Sequence, residues 1–300
     1  MKASAGRAWL LYALTTVILW GVWGALSGLS SDYGFPATLV YGVWALTMIP
    51  PALIILRMDG WRLATDRRSI FYGMAVGLLG AGGQMILFYA LARGPAYFIF
   101  PVISLSPVIT IAMSFFLLGE RTGRMGAVGI VLALAALPLF DLAPGGDGSH
   151  TAAWAIPALL VMLCWGLQAY LMKAANNVMP AASIFAYMTV SGLALIPVAW
   201  SLTDFSAAIN WGWSGPGLAA AVQLLNAIGA LTLVLAFRTG KALVVAPLSN
   251  AGAPLATALL SLAIFGVVPT YLKSLGIILA LVASLLLAME PDESSAKQTQ

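Results

Sequence analysis

The last third of the chain repeats its middle, and a duplicated chain has few architectures open to it. Gly129-Ile130-Val131-Leu132-Ala133-Leu134 returns as Gly276-Ile277-Ile278-Leu279-Ala280-Leu281, 147 residues later. The same offset pairs Pro107 with Pro254, Thr110 with Thr257, Ser114 with Ser261 and Gly119 with Gly266. At an offset of 146, Gly83 matches Gly229, Gly94 matches Gly240 and Pro101 matches Pro247. Near the front, Trp20-Gly21 matches Trp165-Gly166 at 145. This slow drift is what two halves with small loop insertions produce. If each half crosses a membrane an odd number of times, the halves are inserted upside down relative to each other, an arrangement suited to moving a solute across a bilayer.

The membrane follows from composition. Hydrophobic residues make up 61% of the 300 and charged residues 8%, with a mean hydropathy of +0.97. A soluble domain carries about 25% charged residues, so this chain cannot cover itself in water, and the expected class is an all-α polytopic membrane protein. The single cysteine, Cys164, leaves no disulfide within the chain. The single histidine, His150, excludes a two-histidine metal site, and no cofactor is expected. Lys2 and Arg7 before an apolar run, with Ala25-Leu26-Ser27 after it, imitate a signal peptide, but cleavage there would remove the repeated Trp20-Gly21.

Apolar runs long enough for about 30 Å of hydrocarbon can be placed ten times. They are Trp9–Leu29, Pro36–Leu56, Ser69–Ala92, Ala96–Leu118, Gly123–Phe140, Ala153–Ala175, Ala181–Leu202, Gly217–Phe237, Ala242–Phe265 and Tyr271–Met289. With the N-terminus in the cytoplasm, that side receives Lys2, Arg7, Arg57, Arg62, Arg67, Arg68, Arg121, Arg124, Lys173, Arg238, Lys241 and Lys297. The far side receives only Arg93 and Lys273. This bias fixes the orientation and makes the net charge of +4 a topology signal rather than a nucleic-acid footprint. The expected division is a first five-helix repeat over 1–141, an outer linker over 142–152, a second repeat over 153–290 and a disordered cytoplasmic tail over 291–300. The expected location is the plasma membrane, a bacterial inner membrane, with both termini cytoplasmic.

Leu19-Trp20-Gly21, Leu117-Leu118-Gly119-Glu120-Arg121 and the repeated Gly-Ile-Xaa-Leu-Ala-Leu resemble the EamA-type drug/metabolite transporters over essentially the whole chain. The resemblance implies ten helices in two inverted five-helix repeats, with a small metabolite held in a cavity between them. The family spans amino-acid exporters, nucleotide-linked metabolite carriers and quaternary-amine importers. One departure is visible: Glu120 is answered in the second half by Val267.

A solute site inside a bilayer needs polar or aromatic groups at depth, which are costly unless they face a cavity or a partner. Trp20 lies mid-span with Trp23 and Ser27 on its face, and its repeat partner Trp165 has Gln168 one turn on. Both tryptophans are too deep for the interfacial belt assigned to Trp9, Trp154, Trp211 and Trp213; they line a cavity or fill the helix packing. Gln84, Gln223 and Asn226 are either glue between helices or substrate ligands. Tyr41, Trp44 and Tyr97 are candidate aromatic walls or packing residues. Gly73, Gly77 and Gly80, with Gly83 close by, read as a close-packing stripe. Pro101 and Pro107, and Pro247 with Pro254, are candidate hinges flanking Ser104, Ser106, Ser249 and Asn250.

No carboxylate falls mid-span. Glu120 sits at a cytoplasmic helix end beside Arg121 and Arg124, where a salt bridge is the ordinary account. The parts of a proton relay or sodium cage are therefore not evident, and facilitated transport or exchange is expected. The expected function is alternating-access transport of an amino acid or similar neutral or zwitterionic solute, as an exporter; the alternative is an organic cation held by cation–π contact with Trp20, Trp44 and Trp165. An enzyme would need a nucleophile–base or metal set that the chain does not display, and a channel would need a pore-lining ring. The partners expected are a small molecule and the lipid bilayer, with no nucleic acid and a monomer sufficient for function.

Overall fold

Backbone in hydrocarbon has no water to bond, so an apolar chain of this composition closes its amide bonds within helices. The computed structural model describes residues 8–91, 102–103, 105–141, 155–265 and 270–289, and these are helical with short connections. In order the helices are α1 (Ala8–Leu26), α2 (Leu29–Asp32), α3 (Ala37–Thr47), α4 (Ile49–Met58), α5 (Arg67–Leu91), α6 (Ser106–Leu117) and α7 (Arg124–Asp141). There follow α8 (Ala155–Asn176), α9 (Ala181–Ala194), α10 (Ile196–Ser201), a π-helical turn (Trp213–Gly217), α11 (Leu218–Thr239), α12 (Ala242–Phe265) and α13 (Tyr271–Ala288).

Six helical stretches are long and apolar enough to cross a membrane: Ala8–Asp32, Ala37–Met58, Arg67–Leu87, Ala155–Asn176, Ala181–Ser201 and Trp213–Thr239. Four shorter apolar helices lie in the remaining expected spans. Several expected spans are interrupted. The second breaks at Met48, where Pro50 and Pro51 start α4, and the seventh breaks at Leu195, where Pro197 starts α10. Proline suits a first turn because it has no amide hydrogen to leave unpaired.

The two halves exchange their first helices. α1 packs on α11 and α12, while α8 packs on α5 and α6, and α7 lies along α13. Small residues permit the approach, as expected where lipid leaves no hydrophobic drive between helices. A methyl added at Gly21 would strike Ala256, and one at Gly166 would lie 2.7 Å from the Ile109 Cβ. At the same crossings the Thr257 hydroxyl donates to the Gly21 carbonyl (3.0 Å) and the Thr110 hydroxyl to the Gly166 carbonyl (2.9 Å). The repeated Gly129 and Gly276 meet Leu287 and Leu139 at 3.0 Å from the same virtual methyl. The glycine stripe of α5 is a packing surface as expected, with Gly73 and Gly77 against Tyr187 and Ser191 of α9.

One expectation is corrected here. Trp9 is 3% exposed within the core, so it is not an interfacial-belt residue, whereas Trp211 and Trp213 are exposed as a belt requires. Pro107 occupies the first turn of α6. Its counterpart Pro254 does lie within a continuous α12, together with Pro247. Trp154, Pro101, Ser104 and Tyr97 fall outside the described residues.

Candidate functional site

Five of the sequence-predicted residues converge where α1, α3 and α11 meet. Trp20 and Trp23 project from α1, Trp44 from α3, and Gln223 and Asn226 from α11, one turn apart. The Trp20 indole N–H donates to the Asn226 carbonyl (3.2 Å), and the Trp44 N–H donates to the Asn226 Oδ1 (2.8 Å). One turn away, the Trp23 N–H donates to the Gln223 Oε1 (3.1 Å). Gln223 is buried, while Trp20, Trp23, Trp44 and Asn226 each keep part of their surface open.

The same device recurs across the exchanged pair α8 and α5. The Trp165 N–H donates to the Gly80 carbonyl at 3.4 Å, and the repeat offset of 146 carries Gly80 onto Asn226. Each indole also seats on a glycine three residues later: the virtual methyl of Gly229 lies 2.5 Å from the Trp20 Nε1, and that of Gly83 lies 2.5 Å from the Trp165 Nε1. Only glycine leaves room for a ring there. Trp20 and Trp165 are thus packing elements whose donors are already used, and what they can offer a ligand is ring surface.

Gln168 lies against Gly80. Among the described residues the Gln84 and Gln168 amides have no hydrogen-bond partner, so they stand as unengaged polar groups in a half-open setting. Tyr41 takes the packing alternative. It is fully buried, its hydroxyl donates to the Gly192 carbonyl (3.2 Å), and its ring lies 5.3 Å from that of Trp44. It buttresses Trp44 from behind. Asn250 turns back to the Ala246 carbonyl of its own helix at 2.9 Å. Near it, the Ser249 hydroxyl is buried without a partner.

A second polar cluster, not singled out as a site from the sequence, closes the α11–α12 turn. Glu120 is 7% exposed, and its two carboxylate oxygens accept the Ala242 and Leu243 amides, each at 3.0 Å. These are first-turn amides of α12, which have no partner within the helix and sit at its positive end. Glu120 therefore caps a helix of the other half. Arg121 lays its guanidinium 4.1 Å from the Phe115 ring centre and donates to the Phe115 carbonyl. Gly119 adopts a left-handed φ of +68°, which turns the chain so that the Glu120 amide returns to the Ser114 carbonyl (3.1 Å). On the other side of the turn Lys173, 2% exposed, donates to the Gly240 carbonyl at 2.9 Å. Its position at the end of a span reads in the sequence as an ordinary cytoplasmic lysine. Only the Leu-Gly-Glu-Arg motif signalled this cluster. Among the described residues no group of three or more His, Cys, Asp or Glu side chains is placed to hold a metal ion.

Residues 7–140 match the model of the EamA-like transporter family. An uncharacterised protein of Methanocaldococcus jannaschii is 32% identical over 90 residues, which cover 30% of this chain and 66% of that relative's length. The crystal structure of another protein superposes with a TM-score of 0.76 over 93% of this chain and 98% of its own. At 20% identity that likeness carries the fold alone.

Proposed function

We propose, from the membership of residues 7–140 in the EamA-like transporter family, that this membrane transporter moves a small neutral or zwitterionic solute by alternating access. The first choice of solute is an amino acid or similar metabolite, moved outward. On this reading the chain has ten spans in two inverted halves, 1–141 and 153–290, in a bacterial inner membrane with both termini cytoplasmic. The observation that supports it is the twin indole–glycine seat, Trp20 on Gly229 and Trp165 on Gly83, which recurs at matching positions of the sequence repeat. The unengaged Gln84 and Gln168 amides supply polar contacts without charge. No described lysine or arginine faces them to receive an anion. Glu120 and Lys173, gripping the α11–α12 turn, close the cytoplasmic end.

One observation favours a second reading. The N–H donors of Trp20, Trp23, Trp44 and Trp165 are all committed to the protein itself. A ligand among these rings meets their faces, which attract cations. An organic cation is therefore the runner-up substrate class.

Counterflow in proteoliposomes tests both. Vesicles loaded with one unlabelled amino acid or one quaternary amine should accelerate uptake of its labelled form, and Gln168→Ala should reduce that uptake in a protein of unchanged stability. Failure of both classes would sink the reading. Topology is tested in a Cys164→Ser background. Exposed Thr65→Cys should resist an impermeant thiol reagent in intact cells, and exposed Ala207→Cys should react. The reverse pattern would invert the orientation.

A further inference from the structure

Where α4 and α11 end and α9 begins, a cavity of about 110 Å³ opens between the helices. Asp59, the residue that caps the C-terminus of α4, and Arg238, in the last turn of α11, both line it. The rest of the wall includes Ile55, Met58, Ala182 and Leu235. One oxygen of Asp59, Oδ2, is buried and has no hydrogen-bond partner. An unpaired buried carboxylate oxygen costs roughly 1–3 kcal/mol or more, which a donor in the cavity would recover. Arg238 cannot be that donor in the arrangement observed, since the two share the cavity without an ion pair joining them. A guanidinium from α11 and a carboxylate with one unpartnered oxygen at the end of α4 thus line a single space.

A pure anion would satisfy Arg238 and be repelled by Asp59; a simple cation would do the opposite. A dipolar group carrying an N–H donor and an anionic oxygen satisfies both. The volume is several times the roughly 10–15 Å³ that one water requires. The surroundings say what kind of molecule carries that group. Met58 lines the cavity and is 77% exposed, and Ile54, one turn before it on α4, is 60% exposed. Exposed Arg57 lies in the last turn of α4, exposed Arg62 in the connection after it, and exposed Arg67 and Arg68 open α5, so this end of the helices is basic, as suits the level of lipid headgroups.

We propose that this cavity binds the headgroup of an amine-bearing phospholipid, a phosphatidylethanolamine. Its ammonium donates to the Asp59 carboxylate, its phosphate pairs with Arg238, and its acyl chains run down the apolar surface of Ile54, Met58 and Leu235. The site needs only that the protein lies in a membrane; it does not depend on what the transporter carries.

The test is native mass spectrometry of the full-length protein in mixed micelles containing equal amounts of phosphatidylethanolamine, phosphatidylcholine and phosphatidylglycerol. Retention of the ethanolamine lipid should exceed that of the choline lipid, whose trimethylated nitrogen has no N–H, by about tenfold, the ratio given by one charge-assisted hydrogen bond. Asp59→Asn should erase that preference while lipid still binds, and Arg238→Gln should lower retention of every phospholipid. Both positions sit at a rim, and elution as a monodisperse peak checks folding. Phosphorylethanolamine without acyl chains, added at the same concentration, should not displace the lipid; if it does, the site belongs to a soluble ligand. A preference for phosphatidylglycerol that survives Asp59→Asn would make it an anionic-lipid site and overturn the amine assignment. No retained lipid of any kind would leave water as the occupant and refute the proposal.

Discussion

Adding one methyl group at Gly229 is the sharpest test of how the halves are held together. The new carbon would lie 2.5 Å from both the Cδ1 and Nε1 of Trp20. Ordinary carbon contacts begin about 1 Å farther out, so the ring must move by that much. The Trp20 N–H bond to the Asn226 carbonyl is already 3.2 Å long and would not survive the shift. Overpacking costs roughly 1–3 kcal/mol and the lost, partly buried hydrogen bond about 1 kcal/mol, so Gly229→Ala should destabilise the protein by about 2–4 kcal/mol. Equilibrium unfolding in mixed micelles on titration with sodium dodecyl sulfate measures it. Gly83→Ala, which meets Trp165 in the same way, should cost a similar amount. Gly42→Ala and Gly82→Ala are the controls, since nothing lies within 4 Å of a methyl at either, and they should be neutral or slightly stabilising. Trp20→Phe should recover part of the loss in the Gly229→Ala background, with a coupling of about 0.5–3 kcal/mol. If Gly229→Ala is as stable as Gly82→Ala, or if Trp20→Phe adds its full penalty on top, the seat is not where the stability resides.

Glu120→Ala removes both acceptors from the start of α12 and should cost about 3–6 kcal/mol in the same unfolding assay, since hydrogen bonds to charged groups contribute about 1.5–3 kcal/mol each; Glu120→Gln, retaining one acceptor, should fall between. Gly119→Ala should destabilise by about 1 kcal/mol through its left-handed backbone alone, and Gly119→Asn should cost less. Asp66, held below its ordinary value of 3.8 chiefly by the Ser69 hydroxyl and then the Ser69 amide, contributes stability that is present above that value and lost as pH falls through its lower folded one. Asp66→Asn should therefore flatten the acid limb of a thermal-unfolding profile below about pH 4 and leave neutral pH the reference for comparing the two proteins.

Helix placement was legible because length and hydropathy are set by the bilayer itself. What the sequence hid is which way each helix faces. In α1 the buried residues include Ala13, Thr16 and Gly21, while Leu11, Leu14 and Ile18 are exposed. Lipid accepts the large apolar side chains, and the protein interior takes the small ones, so the usual rule of burial is inverted on this helix. The glycine stripe of α5 and the paired tryptophans could be read because both carry that small-residue signature or its complement. Lys173 could not be read: a lysine at the end of a span looks the same whether it reaches to water or turns inward to the Gly240 carbonyl. Tyr41 stayed open for a related reason, since an aromatic ring at depth suits a wall and a buttress equally well.

The exchange of first helices also has a cost in time during synthesis. Thr16 of α1 shares a hydrogen bond with Thr232 of α11, 216 residues downstream. At about 5–20 residues per second, a ribosome needs roughly 10–40 s to make that stretch. For all of it α1 is a finished membrane helix whose native neighbours do not yet exist, with its small-residue face turned to lipid or to the insertion machinery. Thr16 can wait, because its hydroxyl also reaches the Tyr12 carbonyl of its own helix at 3.0 Å. Trp20 has to wait for Asn226. The second half has no such delay, since α5 and α6 are already made when α8 emerges. A photo-crosslinker at Ala13 should therefore capture insertase in arrested chains ending at Gly217, and release it once enough further chain follows the end of α11 to carry that helix clear of the ribosomal tunnel. Release from the shorter chain would show that α1 finds shelter without its partners.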